Sequence, residues 1–278
     1  MGARRRGFQL PNYRAMSIAN GNVAGPAETG LLLVGHGSPE QPAADEFLAA
    51  GGLVAEMAGG WPVETCFLEF CQPTIDVGFR ALTARGVRRV GVVPALLFAA
   101  GHAKRDIPAA VAAVAAEFPE IRVVQCHHLG CHEALVALAR LRFHEALARQ
   151  GNAPPDETGL VMVGRGSHDS EASAEMRRFV DLCAADLGVK RAAACFVAMA
   201  RPRLTALLEE ATTWSARQIV VVPHLLFGGV LVERIGRTVE AFAGGHPQID
   251  WLLARHLGPT RLVANALLCR ANEALSRL

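Results

Sequence analysis

Charge is scarce in this chain. Charged residues make up 19% of its 278 residues, and the formal net charge is +2. So small a balance carries no electrostatic footprint for nucleic acid, although local basic patches for an acidic small molecule stay open. No C-x-x-C pair occurs among its seven cysteines, which are odd in number. A reducing compartment with mostly buried thiols is the economical reading, and a cytoplasmic location is expected. No apolar run reaches the roughly 18 residues of a membrane span. Arg4-Arg5-Arg6 is followed by no apolar stretch of the kind a signal peptide needs. Residues 1–28 are rich in Gly, Ala, Asn and Arg, lack periodicity, and are expected to form a disordered extension.

What the chain does have is a second copy of itself. Leu31-Leu32-Leu33-Val34 is an apolar run, followed by Gly35-His36-Gly37-Ser38. A shift of 129 positions sets Leu160-Val161-Met162-Val163 and Gly164-Arg165-Gly166-Ser167 on it. The same shift sets Cys66-Phe67 on Cys195-Phe196, Pro73 on Pro202, and Val92-Val93-Pro94 on Val221-Val222-Pro223. One constant offset over several blocks marks a duplication, so function should lie in how the halves differ.

Each half alternates apolar strand runs with helical patterns, which predicts two α/β domains with four-stranded parallel sheets flanked by helices. In the first half, strands are expected at 30–35, Val63–Phe70, Arg89–Pro94 and Ile121–Cys126. Pro73 is expected in the first turn of a helix, and Asp106 as the N-cap of another. The expected division is a first domain at 29–150, a Pro- and Gly-containing linker at 151–158, and a second domain at 159–278.

Open parallel sheets bind ligands beyond the carboxyl ends of their strands. In the first half, His36 follows the first strand, Glu69 ends the second, and His102 lies in the loop after the third. Two imidazoles and a carboxylate suit a borderline divalent metal such as Co²⁺, Fe²⁺, Ni²⁺ or Zn²⁺, with coordination positions left for exchange. A loop histidine is more often structural than ligating, but a carboxylate inside an apolar strand would be costly without a purpose. The copy decides between these readings. There His36 becomes Arg165, Glu69 becomes Ala198 and His102 becomes Leu231 or Val230, while the surrounding framework persists.

Gly35-His36-Gly37-Ser38, Phe67-Leu68-Glu69-Phe70 with Pro73-Thr74-Ile75, and Gly101-His102 through Pro108 together resemble the CbiX-type sirohydrochlorin chelatases. The chain is similar to their long, two-domain form over about residues 30–278. The resemblance implies two flavodoxin-like domains with strand order 2-1-3-4. It implies metal binding by His36 and His102, with Glu69 in the same catalytic site. The substrate would be sirohydrochlorin, an octacarboxylate macrocycle, in the cleft between domains, and the reaction insertion of Co²⁺, as in cobalamin synthesis. Fe²⁺, for sirohaem, is the alternative metal, and Ni²⁺ a further candidate. No organic cofactor is implied. Some long members carry a His- or Cys-rich tail, whereas here only Cys269 remains near the end.

The eight substrate carboxylates call for local basic groups, for which Arg165, Arg201, Arg203, Lys104 and Arg105 are candidates. Cys126-His127-His128 with Cys131-His132 matches no trusted zinc spacing and reads as framework, since His128 recurs as His256. Cys66 and Cys195 read as core, while His224 and His168 are edge residues with some prospect of a ligand role. A histidine-type phosphohydrolase needs an arginine before the histidine, where this chain has Gly35. A non-catalytic tetrapyrrole or metal carrier is the third class. A monomer or small homo-oligomer is expected, with no nucleic-acid or membrane partner.

Overall fold

The computed structural model describes residues 28–98, 101–150 and 153–277, apart from the side chains of His102, Ala103 and Gln150. The expected N-terminal extension, save Glu28, lies outside these residues. The first half runs β1 (Thr29–Gly35), α1 (Gln41–Met57), β2 (Val63–Phe67), α2 (Ile75–Ala84), β3 (Arg89–Pro94), α3 (Ile107–Ala115), β4 (Arg122–Gln125) and α4 (Glu133–Gln150). The second repeats this as β5 (Thr158–Gly164), α5 (Ser170–Leu187), β6 (Arg191–Phe196), α6 (Leu204–Ala211), β7 (Gln218–Pro223), α7 (Val230–Gly245), β8 (Asp250–Leu253) and α8 (Arg261–Leu275). Both sheets are parallel, with orders β2-β1-β3-β4 and β6-β5-β7-β8. This is the doubly wound arrangement expected.

Every residue of β1 and of β5 is buried, because helices cover both faces of each sheet. Leu32, Val34, Val90 and Val92 face an outer core with α2 and α3. Val161, Val163, Ile219 and Val221 do the same with α6 and α7. Leu31 and Leu33 of the first sheet and Leu160 and Met162 of the second face one common core. That core contains an exchange of helices. The last helix of the first half, α4, packs on β7, β8 and α5 of the second half, while α8 packs on β3, β4 and α1 of the first. The two halves are consecutive in sequence and interlocked in space.

Paired polar contacts fasten this exchange. The buried Arg142 of α4 donates to the carbonyls of His256 (2.9 Å) and Leu257 (2.6 Å), in the loop that enters α8. Arg270 of α8 donates to the Leu129 carbonyl at 2.9 Å, in the loop that enters α4. Glu145 holds Arg142 at 3.0 Å, as Glu273 holds Arg270 at 2.8 Å. His256 meets Glu46 of α1 at 2.9 Å, and its copy His128 meets Glu175 of α5 at 2.8 Å.

Three local expectations are corrected or refined. The second strand stops at Phe67, because Leu68 N–H turns to the Gly35 carbonyl and Glu69 N–H to that of His36. Pro73 precedes the helix rather than opening it; Thr74 is the N-cap of α2, accepting from Val77 N–H at 3.4 Å. Asp106 takes the N-cap position of α3 as expected but makes no side-chain capping bond, because a π-helical turn, His102–Asp106, runs directly into α3 and leaves it in helical conformation. Among the described residues no helix is long and apolar enough to cross a membrane.

Candidate metal centre and interdomain cleft

The carboxyl ends of β1 and β5 open on one cleft of ≈ 560 Å³. Its wall takes His36, Gly37 and Phe67 from the first half, and Arg165, Ala198 and Met199 with the Leu225–Leu231 loop from the second. The close approach of the strand-end loops requires glycine in both halves. Gly37 and Gly166 each have φ +92, and a Cβ at either would overlap the carbonyl oxygen of Glu69 or Ala198.

His36 Nδ1 lies 3.1 Å from Glu69 Oε1, with the two side chains 25% and 42% exposed. Glu69 is thus half-open to solvent beyond the strand end, not buried within a strand as the sequence suggests, and the cost of burying a charge is not what singles it out. The backbone of His102 opens the π-helical turn beyond β3; its side chain lies outside the described residues. Among the described residues no three ligand-type side chains cluster. The structure therefore brings His36 and Glu69 together.

The basic residues divide. Arg165 is exposed, lines the cleft, and has no ion-pair partner among the described residues. Arg201, Arg203 and Arg105 are exposed and stand outside that wall. Lys104 has another occupation: its ammonium donates to Asp169 and Glu171 at 2.8 Å each, tying the π-helical turn to the start of α5. Those two acceptors hold its pKa above the usual lysine range.

Two apolar residues at the rim escaped the sequence reading. Phe70, 66% exposed at φ 67, has its ring 6.0 Å from His36, edge to face. Its copy Met199, 42% exposed at φ 54, lines the cleft from the other side. A left-handed non-glycine residue costs about 1–2 kcal/mol, and such strain gathers at functional sites. The signal was available, since both are large apolar residues immediately after the Glu69 and Ala198 positions.

The remaining candidates hold the framework. His128 belongs to the pairing with Glu175, and His132 Nδ1 accepts from Ala134 N–H at 3.2 Å. All seven cysteines are free. Burial raises the Cys66 thiol to about 12, and it points to the Leu33 carbonyl at 3.4 Å. Its copy Cys195 is equally enclosed. His168 is exposed, whereas His224 is fully enclosed at the end of β7.

Comparison with known proteins identifies the family. A sirohydrochlorin cobaltochelatase of Priestia megaterium is 30% identical over 250 residues, covering 88% of this chain and 79% of the relative. A sirohydrochlorin ferrochelatase of the same organism is 32% identical over 82% of this chain and 84% of its own length. The solved structure of SirB from Bacillus subtilis with Fe³⁺ superposes with TM-score 0.80 at 30% identity, over 88% of this chain and 95% of that one. The CbiX family profile matches both copies, at residues 30–146 and 159–274. The chain, in both its halves, belongs to the CbiX family.

Proposed function

We propose that this protein inserts a divalent metal, Co²⁺ in the first instance, into sirohydrochlorin with release of two protons, in cobalamin synthesis. The observation that carries this is the His36–Glu69 pair at the strand end of one half only, facing Arg165 across a shared cleft. His36 and His102 receive the metal through neutral imidazole nitrogens. Metal entry expels two pyrrole protons, and Glu69, beside His36 and open to solvent, is placed to accept and pass them on. Arg165 answers substrate carboxylates with a planar donor fork, and its unpaired state keeps it available. Phe70 and Met199 offer apolar edges to the macrocycle. The second half acts as cover, since Arg165 and Ala198 cannot ligate. The free cysteines fit a reducing cytoplasm.

Fe²⁺ is the second reading, favoured by the similarity to a ferrochelatase. A His-His-Glu set accepts either metal, and geometry and supply select between them. The test is anaerobic incubation with sirohydrochlorin and each of Co²⁺, Fe²⁺ and Ni²⁺, followed by absorbance. Faster spectral conversion with Co²⁺ supports the cobalt reading, and faster conversion with Fe²⁺ the iron reading. Tight binding of the macrocycle with no conversion by any metal would make the protein a carrier.

A further inference from the structure

His224 occupies the place that Ala95 holds in the first half, at the carboxyl end of the third strand. It is 1% exposed, and neither ring nitrogen has a partner among the described residues. Its ring lies 4.1 Å from that of Phe179 in α5, and 5.5 Å from that of Phe98, in the loop leading to His102. A phenylalanine would fill this position without stranding two polar atoms, whereas buried polar groups are almost always satisfied. Burial drives its pKa down to about 3, so the ring is neutral, with one donor and one acceptor.

The residue lines a second cavity of ≈ 210 Å³ between the halves, whose wall also holds Ser167, Ser173 and Arg165. Arg165 lines the large cleft as well, so it stands where the two spaces adjoin. A cation is a poor occupant beside that guanidinium. A phosphate would carry more charge than one guanidinium and a neutral ring can answer. A single carboxylate matches: the arginine takes its charge and an imidazole N–H takes an oxygen. At about 30 Å³ per molecule of liquid water, the space admits an acetate- or propionate-sized group.

We propose that this cavity is a receptor for one carboxylate arm of the macrocycle, with Arg165 at its mouth and His224 at its floor. The identity of the macrocycle rests on the function proposed above; the affinity for a short-chain carboxylate rests on the cavity alone. Two measurements on the full chain separate these. In the first, propionate is titrated into protein labelled with ¹⁵N-histidine, with chloride as the control at matched ionic strength. The His224 ring signals should shift saturably with propionate alone, and Arg165→Ala should raise the half-saturation point about tenfold. Signals that stay fixed, or that move equally with chloride, overturn the proposal. In the second, metal-free sirohydrochlorin is titrated into wild type and His224→Phe. An affinity about tenfold weaker, with Co²⁺ affinity unchanged, supports the receptor, and equal affinity overturns it. If wild type binds propionate at His224 but no sirohydrochlorin, the chelatase reading fails and the carboxylate site stands.

Discussion

At the carboxyl end of β1 stands His36, with Glu69 3.1 Å away; at the same end of β5 stand Arg165 and Ala198. Beyond β3 the chain has Ala95, and beyond β7 the enclosed His224. At the contacts between the halves several residues answer each other. Glu46 and Glu175 occupy equivalent helix positions and receive His256 and His128; Arg142 with Glu145 is mirrored by Arg270 with Glu273. These paired contacts that lock the halves together have been kept in both copies. On the proposed function, the side chains at the two strand ends have separated into a half that binds metal and a half that binds charge.

The largest effect should come from removing the metal-binding half's imidazole. His36→Ala is expected to lower metal insertion at least about a hundredfold while the thermal unfolding midpoint stays near wild type, since loss of groups that merely orient metal ligands already costs about 10–100-fold. Insertion within a few-fold of wild type would remove His36 from the site.

Next come the fasteners. Arg142→Met strands the carbonyls of His256 and Leu257 inside the common core and should cost about 3 kcal/mol, read from urea unfolding. Arg270→Met should cost less, because the Arg270 side chain is 21% exposed against 8% for Arg142. Both variants should unfold in one transition, since each half supplies the other's covering helix. Two separated transitions would show that the halves are independent.

Arg165→Ala sharpens the comparison on the charged side. It should weaken sirohydrochlorin binding about tenfold to a hundredfold, more at low salt than at high, and leave Co²⁺ affinity unchanged. Equal affinities at two ionic strengths would leave Arg165 without a role.

The smallest effect at neutral pH belongs to His224→Phe. The folded-state pKa of His224, about 3, lies below its ordinary 6.5, so the unfolded chain binds the proton more readily between those values. Wild-type stability therefore falls as pH drops through that window, by up to about 1.4 kcal/mol per pH unit from this group. His224→Phe should be the more stable protein by about 1 kcal/mol at pH 7, and the gap should widen on acidification. A gap independent of pH would mean that the ring is not held neutral.

The strands and the duplication were legible because buried parallel strands read as apolar runs and the offset holds at 129 through the third strand and at 128 beyond it. The ligand candidates were read from the strand ends and from their joint loss in the copy, whereas the strand order came from motif resemblance, not from periodicity. The end of β2 was misread because Leu68 and Phe70 continue the apolar pattern, while the chain in fact turns to bond the loop after β1. The helix exchange was not legible at all. In α4, Ala134 through Ala139 are all buried, which shows a helix enclosed on every side but not by which sheet. Lys104 reads as a free cation in sequence, and only folding brings Asp169 and Glu171 to it.

The central claim is that chemistry resides at one strand end and charge recognition at the other. It is tested most directly by making the first end like the second in the intact chain. Co²⁺ insertion into sirohydrochlorin is followed anaerobically by absorbance for wild type, His36→Arg and Arg165→His. The account predicts no insertion by His36→Arg, with sirohydrochlorin still bound, and insertion by Arg165→His at a raised KM with kcat within a few-fold of wild type. Wild-type turnover by His36→Arg, or loss of kcat confined to Arg165→His, would contradict it.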